Sequence, residues 1–353
     1  MVSRTSVLDR VERIGAAGLT AKAYRERVLA EVRTVLPYDG HVWLLTDPAT
    51  RVGTSPLADV PGLAFPDLPR LGRLRYLTTV NRWDRLLDEG RAAATLLAAT
   101  GGDLSASLLW RECLSGFGVS DVATVVCADR FGCWAWLDLW RTGGAAYAAA
   151  DAAFLAELAP VLATGLREAV ARTFVDDAEA LDLSGPAVVV LSPALVVRSQ
   201  TAWAAEALFA LNPPDDPVST VPAAAYNVAA ALVAQEAGAP VGEPRARVHL
   251  GSGRWVTLRA DRMTPTGVEE GDVVVTIEVS TPAERREVFA LAHGLTPRER
   301  EVLAEVSRGS DSHAIAGRLF VSEHTVHDHV KAVLAKTGTV SRQVLLSRIA
   351  GAA

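Results

Sequence analysis

Three cysteines in 353 residues, Cys113, Cys127 and Cys133, form no CxxC pair, so a disulfide framework is not expected. No apolar run approaches the ~20 residues that span a bilayer. The first residues, MVSRTSVLDRVER, lack the apolar block of a secretion signal, so no membrane is expected and the cytoplasm is the expected compartment. Histidine is nearly absent before residue 290, which leaves no plausible catalytic triad in the body of the chain. Neither LSPAL nor GSGR is a nucleophile elbow or a phosphate loop. No enzyme activity is expected. No lysine lies between residues 172 and 330, and no suitable strand ends in a phosphoacceptor aspartate. The acidic stretch FVDDAEALDL from Phe174 is therefore a decoy for a receiver domain. Nor is positive charge general, since the formal net charge is −6.

What is present is a balance of 50% hydrophobic and 22% charged residues, typical of folded chains long enough for two or three domains. Charge is uneven. Residues 284–353 carry ten Lys/Arg against eight Asp/Glu, leaving −8 on the remainder, and five of the seven histidines lie there too. One basic module on an acidic body is the pattern of a protein with a single nucleic-acid-binding end.

Periodicity predicts a helix over AKAYRERVLAEVRTVLP and a strand pair over VATVVCADRFGCWAWLDLW, turning at Asp129 to Gly132. Strict alternation would place Trp134, Trp136, Asp138 and Trp140 on one face of the second strand. Those tryptophans could line a ligand pocket or pack beneath a helix. Cys127 and Cys133 flank the loop, with only Arg130 placed to lower a thiol pKa for redox sensing. A long helix follows, with Leu155, Leu158, Leu162, Leu166, Ala169 and Val170 as an apolar stripe. Pro160 should bend or break it. The stripe could cover its own sheet or serve as the seam of a homodimer. The pattern then restarts as two strands, helices split by NPPDDP, and three strands, the first two separated by Gly251-Ser252-Gly253.

The C-terminal signals are sharper. LTPREREVL offers Thr296 as N-cap, Pro297 at the first helical position and Glu299 as capping-box partner. Three short helices follow, with Ser322 and Ser341 as N-caps. On the third, Val326, Val330, Val333 and Thr337 share one face, and His324, His327, Asp328, Lys331 and Ala335 the other. His324-x2-His327-x-His329 is not expected to bind metal, because the third ligand points away, and no cofactor is expected.

LTPREREVLAEVSRG…AIAGRLFVSEHTVHDHVKAVLAKTGTVSRQ resembles the LuxR-type DNA-binding domain of bacterial transcription regulators. The resemblance implies a helix-turn-helix whose third helix enters the major groove of double-stranded DNA, and binding as a homodimer to paired half-sites. The residues placed for DNA are Ser322, His324, Thr325, His327, Asp328, His329, Lys331, Lys336 and Arg318. The chain departs from the family at His327, commonly basic, at Asp328, seldom acidic, at SDSHAIA and at Thr337. Asp328 is expected to trade affinity for selectivity by accepting from cytosine N4. His327 is expected to tighten binding as pH falls.

Residues from about 20 to 172 resemble a GAF domain, mainly through GVSDVATVVCADRFGCWAWLDLWR and the helix after it. Residues 183–280 resemble a PAS-like fold by the order of elements. The expected fold class is multidomain α+β: a GAF-like α/β sensor with a trailing dimer helix (1–172), a PAS-like α+β sensor (183–280), a linker (281–293) and an all-α four-helix LuxR-type helix-turn-helix (294–353). The expected function is a transcriptional regulator controlled by a small-molecule ligand or partner. An interaction module that binds no DNA, or an enzyme in the body, are the alternatives.

Overall fold

A computed structural model describes residues 3–64, 67–174, 185–211, 223–250, 254–264 and 271–351. The NPPDDP break, the Gly251-Ser252-Gly253 turn and the decoy segment after Phe174 lie outside them.

The first unit is an antiparallel sheet of β1 (Gly40–Thr46), β2 (Gly53–Asp59), β3 (Ala93–Thr95), β4 (Val119–Asp129) and β5 (Gly132–Thr142), in the order β2-β1-β5-β4-β3. One face carries Trp43, Leu137 and Leu139 against α1 (Arg4–Gly15), α2 (Ala21–Arg33) and α7 (Ala149–Arg172). The other carries Val42, Leu44, Trp136 and Trp140 against α3 (Leu68–Leu77), α4 (Trp83–Asp88) and the short α5 (Leu96–Ala99) and α6 (Leu108–Glu112). Neither α1 nor the helical insert between β2 and β4 is evident from periodicity.

The predicted tryptophan face is broken. Pairing shifts between Cys127↔Ala135 and Ala128↔Cys133, a β-bulge that leaves Trp134 as the extra residue. Trp134 therefore turns to the α7 side, its Nε1 donating to Asp129 Oδ1 at 3.0 Å, while Trp136 and Trp140 stay on the other face. The same bulge puts Cys127 and Cys133 in different cores. All three thiols are buried and free. Burial pushes the Cys133 thiol up to about 11 and holds the Cys127 thiol well above the usual thiol range, the reverse of what a reactive cysteine needs.

α7 is an unbroken helix of 24 residues despite Pro160, which sits on its exposed side. It is long and apolar enough by composition to cross a bilayer. Its stripe, however, is spent inside the chain: Leu155, Leu158, Leu162 and Leu166 are 0% exposed, packed on α1 and β4. The homodimer seam expected there is not available, because a second copy would have to displace the first sheet.

The second unit is β6 (Ala187–Leu191), β7 (Val197–Gln200), β8 (Arg245–Leu250), β9 (Arg254–Arg262) and β10 (Val273–Val279), in the order β7-β6-β10-β9-β8. Counted within each sheet, both run 2-1-5-4-3. Helices α8 (Ala202–Leu211) and α9 (Ala223–Glu236) cover it, and α9 also packs on α3 and β2. Alanine makes that double contact feasible: Ala225, Ala229, Ala230, Ala231 and Ala234 are 0% exposed, so backbones approach closely. At the junction Arg247 of β8 and Asp47 of the β1–β2 turn form a fully buried ion pair at 2.7 Å. Asp47 also accepts from the backbone of Ala49 and Thr50, and Arg247 reaches on to Glu287.

The expected linker is a helix. α10 (Pro282–Ala292) has a capping box between Thr281 and Glu284, and it buries Val288, Phe289 and Leu291. Phe289 meets Phe174 of the first unit edge-on, and Phe174 stacks on Trp255 of β9 at 5.0 Å. Four helices end the chain: α11 (Pro297–Ser307), α12 (Ser312–Leu319), α13 (Glu323–Thr337) and α14 (Arg342–Ala350).

Candidate nucleic-acid interface and adjoining cleft

Three N-caps of the terminal domain, Thr296, Ser322 and Ser341, are those expected from the sequence, and Asp311 is a further one. Thr296 and Glu299 form the capping box of α11, Asp311 caps α12, Ser322 caps α13 and Ser341 caps α14. Phe320 closes α12 in the left-handed region at φ 54°, making the sharp turn that throws α13 across α12. Val326 and Val330 pack on Val302, Val306 and Ile315, and Val333 reaches the larger core shared with α7 and α10. Burying those valines fixes the rotation of α13 about its axis. The opposite edge therefore faces out.

On that edge His324, His327, Asp328, Lys331 and Ala335 are exposed, and Thr325 and His329 are half-buried on the flank. His324 Nε2 lies 3.5 Å from Asp328 Oδ2, one turn on, so the acid is not solitary. Ser322 Oγ accepts from the Thr325 backbone N–H at 3.1 Å, which occupies the cap hydroxyl locally. Lys331 has no ion pair or hydrogen bond among the described residues.

Two of the expected phosphate contacts are already engaged. Lys336 Nζ donates to both carboxylate oxygens of Glu299, at 2.8 and 2.7 Å. Arg318 is paired with Glu305 and donates to Ser310 Oγ at 2.9 Å. The sequence marks Glu299 only as a capping-box partner and does not mark Glu305; only the crossing of helices brings the cations to them. Nor does the sequence mark His313, which pairs with Glu323 at 2.8 Å and so joins α12 to the first turn of α13. Hydrogen bonding and charge from Glu323 raise the His313 pKa.

The second candidate site is a cleft of about 890 Å³ between the two sheets. Trp136 and Trp140 line it, with Leu44, Leu71, Tyr226 and Trp255, whereas Trp134 does not. Asp138 on its wall is held by Arg75 at 2.9 and 3.1 Å and by Thr124 at 2.6 Å. The Arg75 guanidinium lies 4.9 Å over the Trp136 ring, which extends the pair into a cation–π contact.

Comparison with known proteins bears on the terminal domain. The chain is 48% identical over 56 residues to HTH-type transcriptional regulators of Mycobacterium bovis and of Mycobacterium tuberculosis, and 46% identical over 48 residues to the transcriptional regulatory protein YhcZ of Bacillus subtilis. Those stretches are 16%, 16% and 14% of this chain, and only 6%, 6% and 22% of the relatives. Among solved structures, SdiA in complex with octanoyl-rac-glycerol aligns over 99% of this chain and 93% of that one, at 13% identity and a TM-score of 0.35, too low to argue from. Residues 293–349 match the family of bacterial regulatory proteins described as luxR, and the C-terminal domain is a helix-turn-helix of that type.

Proposed function

We propose that the chain is a DNA-binding transcriptional regulator that reads the major groove with α13 and is controlled through its two sheet units. The observation that carries this is the open outer edge of α13, fixed in rotation by buried valines and bearing Lys331 without a protein partner. DNA is met in the cytoplasm, the compartment this reading assigns. The shared 2-1-5-4-3 strand order supports reading 1–172 as GAF-like and 183–280 as PAS-like, with 294–353 as the output domain. The cleft walled by Trp136 and Trp140 supports control by a small molecule. Two protomers on paired half-sites remain the expected assembly, joined by a surface other than the α7 stripe.

The contact set on this reading is graded by what each side chain already holds. Lys331 is free for phosphate. Ser322, Thr325 and His329 flank the helix start, and His324, His327 and Asp328 meet base edges. Lys336 and Arg318 share their charge with Glu299 and Glu305 and bind phosphate more weakly. A gel-shift titration across salt, with operator fragments selected from genomic DNA, tests this. Lys331→Ala should weaken all sequences alike and reduce the salt slope by roughly one. Lys336→Ala should change the slope less. Binding that is indifferent to salt would instead favour a protein-interaction module.

A further inference from the structure

The cleft has a charge surplus that its own walls do not cancel. Among the described residues Asp138 is the one carboxylate on its lining, and Arg75 neutralises it. Arg247 on the lining is neutralised by Asp47. Arg25 and Arg172 are not matched in this way. Arg25 is 3% exposed, and its partners are three carbonyl oxygens: Nε donates to Ala21 at 3.1 Å, and Nη1 to Trp43 at 2.8 Å and to Ser55 at 2.9 Å. No carboxylate hydrogen-bonds it, and Nη2 has no protein partner among the described residues. The acidic neighbour that acts on it, Glu26, is exposed and bridges to Lys22. Arg172 donates from Nη2 to Leu19 O at 2.8 Å, and its buried Nε has no partner among the described residues. Arg172 is thus anchored to Leu19 in the connector between α1 and α2, and Arg25 to Ala21, the first residue of α2, two residues on.

A buried guanidinium without a counter-ion is costly unless something else supplies the negative charge. The chain is acidic overall, yet among the described residues no carboxylate pairs with Arg25 or Arg172. The three carbonyls also fix the direction of Arg25, so its free N–H donors at Nη2 are presented without further ordering. Beyond them the wall is apolar, through Leu44, Val60, Leu71, Trp136, Trp140 and Tyr226.

We propose that the cleft binds a monocarboxylate with an apolar body, its head group held by Arg25 Nη2 and Arg172 and its body laid along Trp136 and Trp140. Two donors on one nitrogen suit a single carboxylate better than a phosphate dianion, which would call for more. Burial pushes Arg25 down to about 9, so it still carries its charge at neutral pH. The inference deepens the sensor part of the proposed function and rests on that reading only for its consequence at DNA.

The test uses the full chain and two carboxylate probes, dodecanoate and 1-naphthoate, each beside its alcohol, dodecan-1-ol and 1-naphthalenemethanol. Binding is read by calorimetry and by tryptophan fluorescence. At least one acid should bind with one site per chain and about tenfold tighter than its alcohol, and Arg25→Gln should abolish that preference while leaving the alcohol unchanged. Because Arg25 also braces the β1–β2 pair, Arg172→Gln serves as the gentler variant, with a partial loss expected. The proposal is overturned if neither acid out-binds its alcohol in the native protein, or if both variants retain the preference. Gel shifts on the same samples keep the readings apart. Acid binding without salt-sensitive DNA binding would unseat the regulator alone, and DNA binding without acid selectivity would unseat this site alone.

Discussion

On the proposed function, Asp328 is the residue at which the outer edge of α13 differs most from a simple cationic surface. Phosphate would repel it, and on that reading a base offsets the cost, cytosine N4 being the donor an acid can meet in the major groove. His324 Nε2 lies 3.5 Å from Asp328 Oδ2, one helical turn back. Asp328→Ala should therefore raise affinity for random DNA and lower discrimination at one base pair by about 1–3 kcal/mol. Competition gel shifts against single-base operator variants read both numbers. Equal changes on cognate and random DNA would reduce Asp328 to a bystander.

Among the elements, α7 shows how much of the fold was legible in the sequence and where that ended. Its apolar stripe was visible at helical spacing, but periodicity says only that a face is covered and not by what. The structure assigns the cover to β4 and α1, with Leu158 at 0% exposure. Leu158→Ala should cost about 2–5 kcal/mol by urea unfolding, with the oligomeric state in sedimentation unchanged. A change of assembly without loss of stability would restore the seam. The valines of α13 and the caps Thr296, Ser322 and Ser341 were readable because each depends on neighbours within four residues. Trp134 was misread because a bulge shifts alternation by one, and nothing local in CWAWLDLW announces it. Likewise the hold of Glu299 on Lys336 spans 37 residues of chain and arises from helix crossing alone. Arg25 looked like any surface arginine of a helix until β1 and β2 closed over it.

Across the whole molecule, the three parts meet at a few polar and aromatic junctions, so their failure should be cooperative. Arg247 binds the first unit through Asp47 and α10 through Glu287, with no solvent at the guanidinium. Asp47→Ala leaves that cation buried without its main partner and should cost about 3–5 kcal/mol. Asp47→Ala with Arg247→Met should recover part of the loss, as read by thermal and urea unfolding. Acid should act at the same seam. Burial holds His249 and His293 down to about 4, against 6.5 for an ordinary imidazole. Between those values the unfolded chain takes up protons that the folded chain refuses, so stability falls as pH drops from about 6.5 toward 4. By pH 5 each contributes on the order of 1–2 kcal/mol to that fall. Because His293 packs on Phe289 and Phe174, His293→Leu should flatten the difference between urea midpoints at pH 7 and pH 5.

Arg285 of α10 donates to the carbonyl oxygens of Ile349 at 2.7 Å and Arg348 at 3.1 Å, gripping the final turn of α14. With Arg167 donating to Ala292 O and Phe131 lying against Gly294, the C-terminal domain is bolted to the body at both ends. On the proposed binding of two copies to paired half-sites, heads held in this way cannot pivot independently along a duplex. Lengthening the spacer of a natural operator by about five base pairs, half a helical turn, would carry one half-site to the far side of the cylinder. Affinity should then drop to that of a single half-site, where a tethered, swivelling head would have absorbed the change.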